Sequence, residues 1–225
     1  SNTLNTTDAR MRGMKVVVVD PIGNTAASKA DEWLPIRPGA DGGFALAMLN
    51  VLLNELGIYD AQYLKHYTNA PYLIGADGHY LRDKATKKPL IWDSEDGKAK
   101  TYDVSDIKDF ALEGTYQVNG SQGTPSFQLL KECVKKYTCE EMARLTTIPA
   151  ETIRRIAKEF GEAARIGSTI TIDGKELPYR PACAYWRKGV SAHKNSMMSG
   201  WAIQLLNIVI GAVDVPGGVR GSVCN

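Results

Sequence analysis

The sequence predicts an α/β fold: a Rossmann-like parallel sheet with flanking helices, carrying a polar, β-hairpin-rich insertion. Three observations lead there. The run Val16-Val17-Val18-Val19, closed by Asp20-Pro21, is short, continuously apolar and β-branched, which marks a strand buried on both faces of a parallel sheet. The stretch from Asp41 to Leu56 is apolar nearly all round, as a buried helix is. Strand-like and helical segments then alternate along the chain, the pattern of βα layers.

Taken in order, Ala9 to Gly13 reads as the end of a helix closed by glycine. Lys15 to Val19 is the first strand, Thr25 to Ala30 a short helical piece, and Trp33 to Ile36 a second extended segment. Pro38-Gly39-Ala40-Asp41 introduces the long helix with Asp41 as its expected N-cap, and Gly57 ends it. Asp60 caps a further helix to Tyr67. Between Pro71 and Thr124 the texture changes: Gly75-Ala76-Asp77-Gly78, Lys87-Lys88-Pro89 and Asp96-Gly97 punctuate short apolar stretches, as in irregular hairpins decorating a main domain. Thr124-Pro125 is expected to start a helix with proline at its first position. Thr138-Cys139-Glu140-Glu141 matches a capping box, and Pro149 opens a helix whose Ile153, Ile156, Ala157 and Phe160 recur at helical spacing. Asp173-Gly174 is a hairpin turn, Ala182 to Trp186 an expected strand, Gly189 to His193 a loop, and Gly200 to Ile210 an apolar helix before a glycine-rich exit. The expected units are therefore 1–70, part of a dinucleotide-binding α/β domain; 71–124, the insertion; and 125–225, a helical segment returning to that domain.

Composition excludes several function classes. Lys plus Arg number 27 against 25 Asp plus Glu, so no charge excess draws the chain to nucleic acid or a membrane surface. No apolar run reaches the ~18 residues of a spanning helix, so direct membrane insertion is not expected. Cys133, Cys139, Cys183 and Cys224 are irregularly spaced without a C-x-x-C pair. They read as free thiols, not as ligands of zinc or an iron–sulfur cluster, and they leave the compartment open.

Ligands of open parallel sheets bind beyond the carboxyl ends of the strands. The first such place is Asp20-Pro21-Ile22-Gly23-Asn24, where a carboxylate could accept from a guanine edge or a ribose diol, or could simply cap the turn that follows. The second is Gly39-Ala40-Asp41, whose helix-start amides suit an anion or a polar base edge, unless Asp41 serves only as N-cap. The third is Lys188-Gly189-Val190-Ser191-Ala192-His193, where His193 is functional or simply a solvated loop histidine. Neither G-x-G-x-x-G nor a P-loop is present, so an ordinary NAD or ATP site is not supported. No Ser/His/Asp or Cys/His arrangement can be argued from spacing, and no catalytic or metal-ligating residue is assigned.

Together these segments resemble one family. Val16 to Pro21, then Thr25-Ala26, then Ala30-Asp31-Glu32-Trp33-Leu34-Pro35-Ile36-Arg37-Pro38-Gly39-Ala40-Asp41 is similar to the molybdopterin oxidoreductases of the dimethyl sulfoxide reductase superfamily. Tyr137-Thr138, Ile148 to Ile153 and Gly211 through Pro216-Gly217-Gly218 continue the likeness over most of the chain. The resemblance implies an internal fragment of a large catalytic subunit, inactive by itself, from an enzyme using molybdenum or tungsten bound by two molybdopterin guanine dinucleotides for two-electron redox or oxygen-atom chemistry, as in anaerobic respiration. An iron–sulfur cluster of the parent would lie outside this chain. The implied partners are the remaining domains of the same polypeptide and an iron–sulfur electron-transfer subunit. Asp20 to Asn24 and Gly39 to Asp41 would then hold the guanosine end, and Lys188, Gly189 and His193 would approach a pterin. Two positions depart from the pattern: Ile22 stands where arginine is frequent, and Asn195-Ser196 where Asn-Gly is usual. The competing reading is a non-catalytic scaffold subunit of a respiratory complex with the same fold.

Overall fold

In the computed structural model, which describes residues 2–220, the valine run supplies a strand shorter and less covered than expected. A helix α1, Asn2–Met11, leads into β1, Val17–Val19, and after α2, Thr25–Ser28, the strand β2, Glu32–Leu34, pairs with β1 in parallel. The register runs from Val17 opposite Glu32 to Val19 opposite Leu34. All three valines are only half-buried. Val17 and Val19 lean on the main core, whereas the two-residue pleat period sends Val18 and its partner Trp33 to the other face. Among the described residues this ladder has two strands, so nothing closes both faces as the uninterrupted valines led us to expect. Among the described residues the other ladders are antiparallel, and the one further parallel contact is an isolated bridge between Val213 and Val219. The architecture is a mixed α/β one.

The core is built around α3, Asp41–Asn50, which continues as a π-helical turn through Val51–Leu56 and stops at Gly57 with φ 65°. Phe44, Ala45, Ala47, Met48, Leu49, Val51, Leu52 and Leu53 are all buried, as the unbroken apolar stretch requires. Around it stand α4, Ala61–Tyr67; α5, Ser126–Val134; α6, Cys139–Thr146; α7, Ala150–Ala163; and, past the short α8, Lys188–Ser191, the helix α9, Ser196–Val209. Two glycines let neighbours approach. A Cβ on Gly161 would lie 2.7 Å from Leu52, and one on Gly42 would lie 2.8 Å from the Ser199 hydroxyl. Thr138 caps α6 by accepting from the Glu141 amide, and Asp60 caps α4 by accepting from Tyr63. No single helix among the described residues is long and apolar enough to cross a membrane.

The segment 71–124 folds as short antiparallel ladders: β3, Leu73–Gly75; β4, Leu90–Asp93; β5, Lys98–Thr101; β6, Tyr116–Val118; and β7, Ser121–Pro125. It has a small apolar cluster of its own, with Leu73, Leu90 and Val118 at the centre and Trp92 stacked on Tyr116 at 4.4 Å between ring centroids. Thr124 and Pro125 do not begin α5, as their sequence led us to expect. They close β7 opposite Ile74 and Leu73, and Pro125, extended at ψ 139°, occupies the N-cap place.

The hairpin β8, Thr169–Ile172, and β9, Lys175–Pro178, turns at Asp173-Gly174. Ala182 to Trp186 then joins no ladder, contrary to the strand expected there. At its centre, Ala184 pairs instead with one buried side chain. The Asn207 amide accepts from the Ala184 N–H at 2.7 Å and donates to the Ala184 carbonyl at 2.8 Å, imitating a neighbouring strand. Just before this segment, the buried Arg180 donates to the buried Asp60 at 2.6 and 3.0 Å and to the carbonyls of Ser168 and Tyr179, locking the hairpin's base to the start of α4. Cys224 lies outside the described residues.

Candidate functional site

Both expected ligand-binding turns sit at the carboxyl ends of the parallel pair, and they differ sharply in how much of their polar capacity is free. In the first, the Asp20 amide extends the ladder by donating to the Leu34 carbonyl at 3.2 Å. Its side chain then turns back on its own loop. One carboxylate oxygen accepts from the Ile22 amide and the other from the Asn24 side-chain amide, each at 2.8 Å. Asn24 in turn caps α2, accepting from Ala26 and Ala27 at 2.9 and 3.0 Å. Of the two readings left open for Asp20, the geometry favours the turn-shaping one. Pro21, Ile22, Gly23 and Asn24 are exposed along the rim. Trp33 completes this corner: its indole N–H donates to the Asp20 carbonyl at 2.8 Å, and its six-membered ring covers Gly23, 3.3 Å from where a Cβ would stand.

The second turn is the opposite case. Gly39 adopts φ 79°, a left-handed conformation that glycine takes without strain, and so aims the chain into α3. Ala40, buried, occupies the N-cap place and makes no side-chain cap bond. Asp41 is therefore not the N-cap expected from sequence. It is the first helical residue, where a carboxylate complements the positive end of the helix macrodipole without closing over its amides. No group among the described residues donates to the Asp41 carboxylate, which is half-buried.

Two later residues wall this helix start. His193 packs on Gly39, with its Nδ1 3.4 Å from the place a Cβ would take, and Ser199 packs on Gly42. Ser199 is 8% exposed. The structure thus brings together Gly39, Ala40, Asp41 and His193 from the residues picked out by sequence. Lys188 and Gly189 start the short helix α8 and are exposed, and a Cβ on Gly189 would meet nothing within 4 Å, so they are not packed into the cradle. The long approach from Leu177 to Val213 contains no acidic residue but four basic ones, Arg180, Arg187, Lys188 and Lys194. Apart from Arg180, which pairs with Asp60, this bias leaves the His193 loop electropositive.

Ser199, Trp33 and Asn207 were missed as site-shaping residues. Ser199 and Asn207 sit in an apolar helix, where a lone polar residue at a crossing was the available signal; Trp33 gave none beyond its strand propensity. Among the described residues no group of three or more His, Cys, Asp or Glu side chains is placed to hold a metal ion.

No family model matches the chain. It is 35% identical to a sulfite dehydrogenase polypeptide of Allochromatium vinosum, over 94% of this chain and 24% of the relative. It is 32% identical to the alpha chain of the perchlorate reductase of Dechloromonas aromatica, over 69% of this chain and 21% of the relative. Among solved structures, the acetylene hydratase of Pelobacter acetylenicus matches 94% of this chain and 19% of its own length, with a TM-score of 0.57 and 23% identity, a likeness of fold. The chain spans about a quarter or less of the length of these proteins.

Proposed function

From the premise that this chain belongs to the molybdopterin oxidoreductases of the dimethyl sulfoxide reductase superfamily, we propose that it holds the guanosine end of a molybdopterin guanine dinucleotide in the catalytic subunit of a molybdenum or tungsten oxidoreductase. The observation that carries this reading is the Asp41 carboxylate at the mouth of α3, to which no group among the described residues donates. A carboxylate accepts two hydrogen bonds side by side, which matches the N1–H and N2–H₂ edge of guanine, while free helix-start amides can donate to its O6. Adenine presents an acceptor at N1 and would be repelled. Because Gly39 and Gly42 lack side chains, His193 and Ser199 close directly onto the helix start and form the wall against which a planar base would lie. The residues therefore fit the group.

In this reading β1 and β2 belong to a Rossmann-like parallel sheet whose other strands come from elsewhere in the polypeptide. The segments 1–70 and 125–225 serve one α/β domain, and 71–124 is an insertion upon it. Asp20 and Asn24 shape the rim; Asp41 orients the base; Lys188, Gly189 and His193 present an electropositive loop toward the more distal, anionic parts of the cofactor. When bound, the metal-bearing pterin supplies two-electron redox chemistry, and this chain's contribution is to fix and orient it. The substrate, any iron–sulfur cluster of the parent and an electron-transfer partner belong to the parts of the assembly beyond these residues.

Titration of the chain with guanosine and adenosine monophosphate tests the reading. We expect millimolar-range binding of the guanine nucleotide, since only part of the cradle is present. The adenine nucleotide should bind at least several-fold more weakly. Asp41→Asn, which loses a charge-assisted bond of about 1.5–3 kcal/mol, should lower guanine affinity by roughly tenfold or more. Equal affinity for the two nucleotides, or an Asp41→Asn variant that binds as the parent does, would refute it.

A further inference from the structure

We propose that Trp33 is a stacking platform for the base of the bound nucleotide, and that the Asp20–Asn24 turn recognises the ligand through this ring and not through the Asp20 carboxylate. The inference rests on the nucleotide-binding reading above and assigns a residue within it.

Three observations carry it. First, the polar groups of the turn are consumed internally. Both Asp20 carboxylate oxygens, the Asn24 side chain and the Asp20 carbonyl already have partners within 3.0 Å. A base approaching here would have to share a carboxylate that two donors of the turn already hold, whereas the apolar surface has no such competitor. Second, that surface is held in place. The Trp33 indole cannot rotate without giving up its bond to the Asp20 carbonyl and its contact over Gly23, where any side chain would push against the ring. An aromatic ring fixed in advance loses little entropy on binding a planar partner. Third, among the described residues the core makes no use of the ring. Trp33 is 41% exposed and Ile22, on the same turn, is 71% exposed, while the strand's alternation has turned Trp33 away from the main core that Leu34 enters. A large aromatic residue with an anchored polar end and an open face is suited to stack a nucleobase, an interaction of about 1–3 kcal/mol per base.

The test is solution NMR of the chain with guanosine monophosphate. Stacking places the ligand's H8 in the shielding cone of the indole, so H8 should move upfield on binding and show nuclear Overhauser contacts to the Trp33 ring protons. Trp33→Phe should keep part of the upfield shift, and Trp33→Leu should abolish it while weakening binding by roughly 5- to 100-fold. A folded Trp33→Leu variant with the upfield shift intact would overturn the proposal. Should Trp33→Leu fail to fold, the Overhauser contacts in the unsubstituted chain decide, and their absence in the bound state overturns it. Loss of base discrimination in Asp41→Asn with stacking retained separates the two assignments. No binding of guanosine monophosphate by the unsubstituted, folded chain at concentrations well above the millimolar range would sink both.

Discussion

Replacing Arg180 by methionine should be among the most damaging changes outside the apolar core. Arg180 and Asp60 are each 5% exposed, and the guanidinium donates four times: twice to Asp60, once to the Ser168 carbonyl and once to the Tyr179 carbonyl. Methionine fills a similar volume with no donor, so the buried Asp60 carboxylate loses its counter-charge and two carbonyls lose a partner. Breaking a buried pair by removing one member typically costs about 3–5 kcal/mol. For a domain of about this size each kcal/mol shifts the melting temperature by roughly 2–4 °C, giving an expected fall of about 6–20 °C by differential scanning calorimetry. The double variant Asp60→Asn/Arg180→Met should regain much of that loss. Asparagine carries no charge and its side-chain oxygen can still accept from the Tyr63 amide, as Asp60 now does at 3.0 Å. A single variant melting within about 2 °C of the parent, below the smallest shift this scaling allows, would refute the claim that this pair locks the β8–β9 hairpin to α4. A double variant no better than the single would show the damage to be steric instead of electrostatic.

Three further outcomes follow from the same structure. Gly42→Ala places a Cβ 3.2 Å from the Ser199 backbone and 2.8 Å from its hydroxyl; we expect a loss of about 1–3 kcal/mol from overpacking in urea unfolding, with guanine-nucleotide binding weakened in parallel. Burial pushes the Asp93 carboxyl up, but the Lys100 ammonium and the amides of Lys108, Asp109 and Asp96 outweigh it and hold it well below the usual aspartate value of 3.8. A depressed folded value means stability that is complete above 3.8 and lost as pH falls below it, so Asp93→Asn should be less stable at neutral pH and should show a flatter decline as the solution is acidified below that value, read by circular dichroism. Burial raises the Cys139 thiol to about 11 and leaves it fully covered, whereas Cys133 is exposed. Iodoacetamide at mildly alkaline pH should therefore label Cys133 within minutes and spare Cys139 until the chain is unfolded, as peptide mass spectrometry will show.

Much of the fold was legible wherever a local signal agreed with its tertiary setting. The Thr138–Glu141 cap, the Asp60 cap, the Gly57 stop and the Asp173-Gly174 turn all depend on chemistry within a few residues, and all formed. The misreadings came where a distant partner decided. Ala182 to Trp186 has the composition of a strand, yet Asn207, 23 residues beyond Ala184, satisfies the backbone that a neighbouring strand would have satisfied. Thr124-Pro125 carries a helix-start signal, but its pairing with Leu73 and Ile74 holds both residues in β7 and delays α5 by one residue. Continuous valines imply cover on both faces, and that cover is not supplied by the described residues.

The site shows a different limit. Sequence could name Asp20 and Asp41 as carboxylates at strand and helix ends, but it could not tell which one was free, because that depends on where Ile22, Asn24 and Trp33 point. Asp20 is followed within four residues by a flexible amide donor and by a turn that brings the Ile22 amide onto it. Asp41 is followed by Gly42 and Gly43, which offer no side-chain donor, and its helical position directs the nearest amides along the helix axis instead of back upon its carboxylate. The division of labour between a self-satisfied aspartate that builds the rim and an unsatisfied one that faces the ligand is thus a consequence of the two residues' immediate neighbours. It also makes a stringent requirement. Gly42 and Gly43 must stay bare, because a Cβ at either would press on Ser199 or on Leu145 and Met142; a variant there should disturb the base-recognising corner while the internal bonds of the Asp20 turn, none of which reaches Asp41, stay in place.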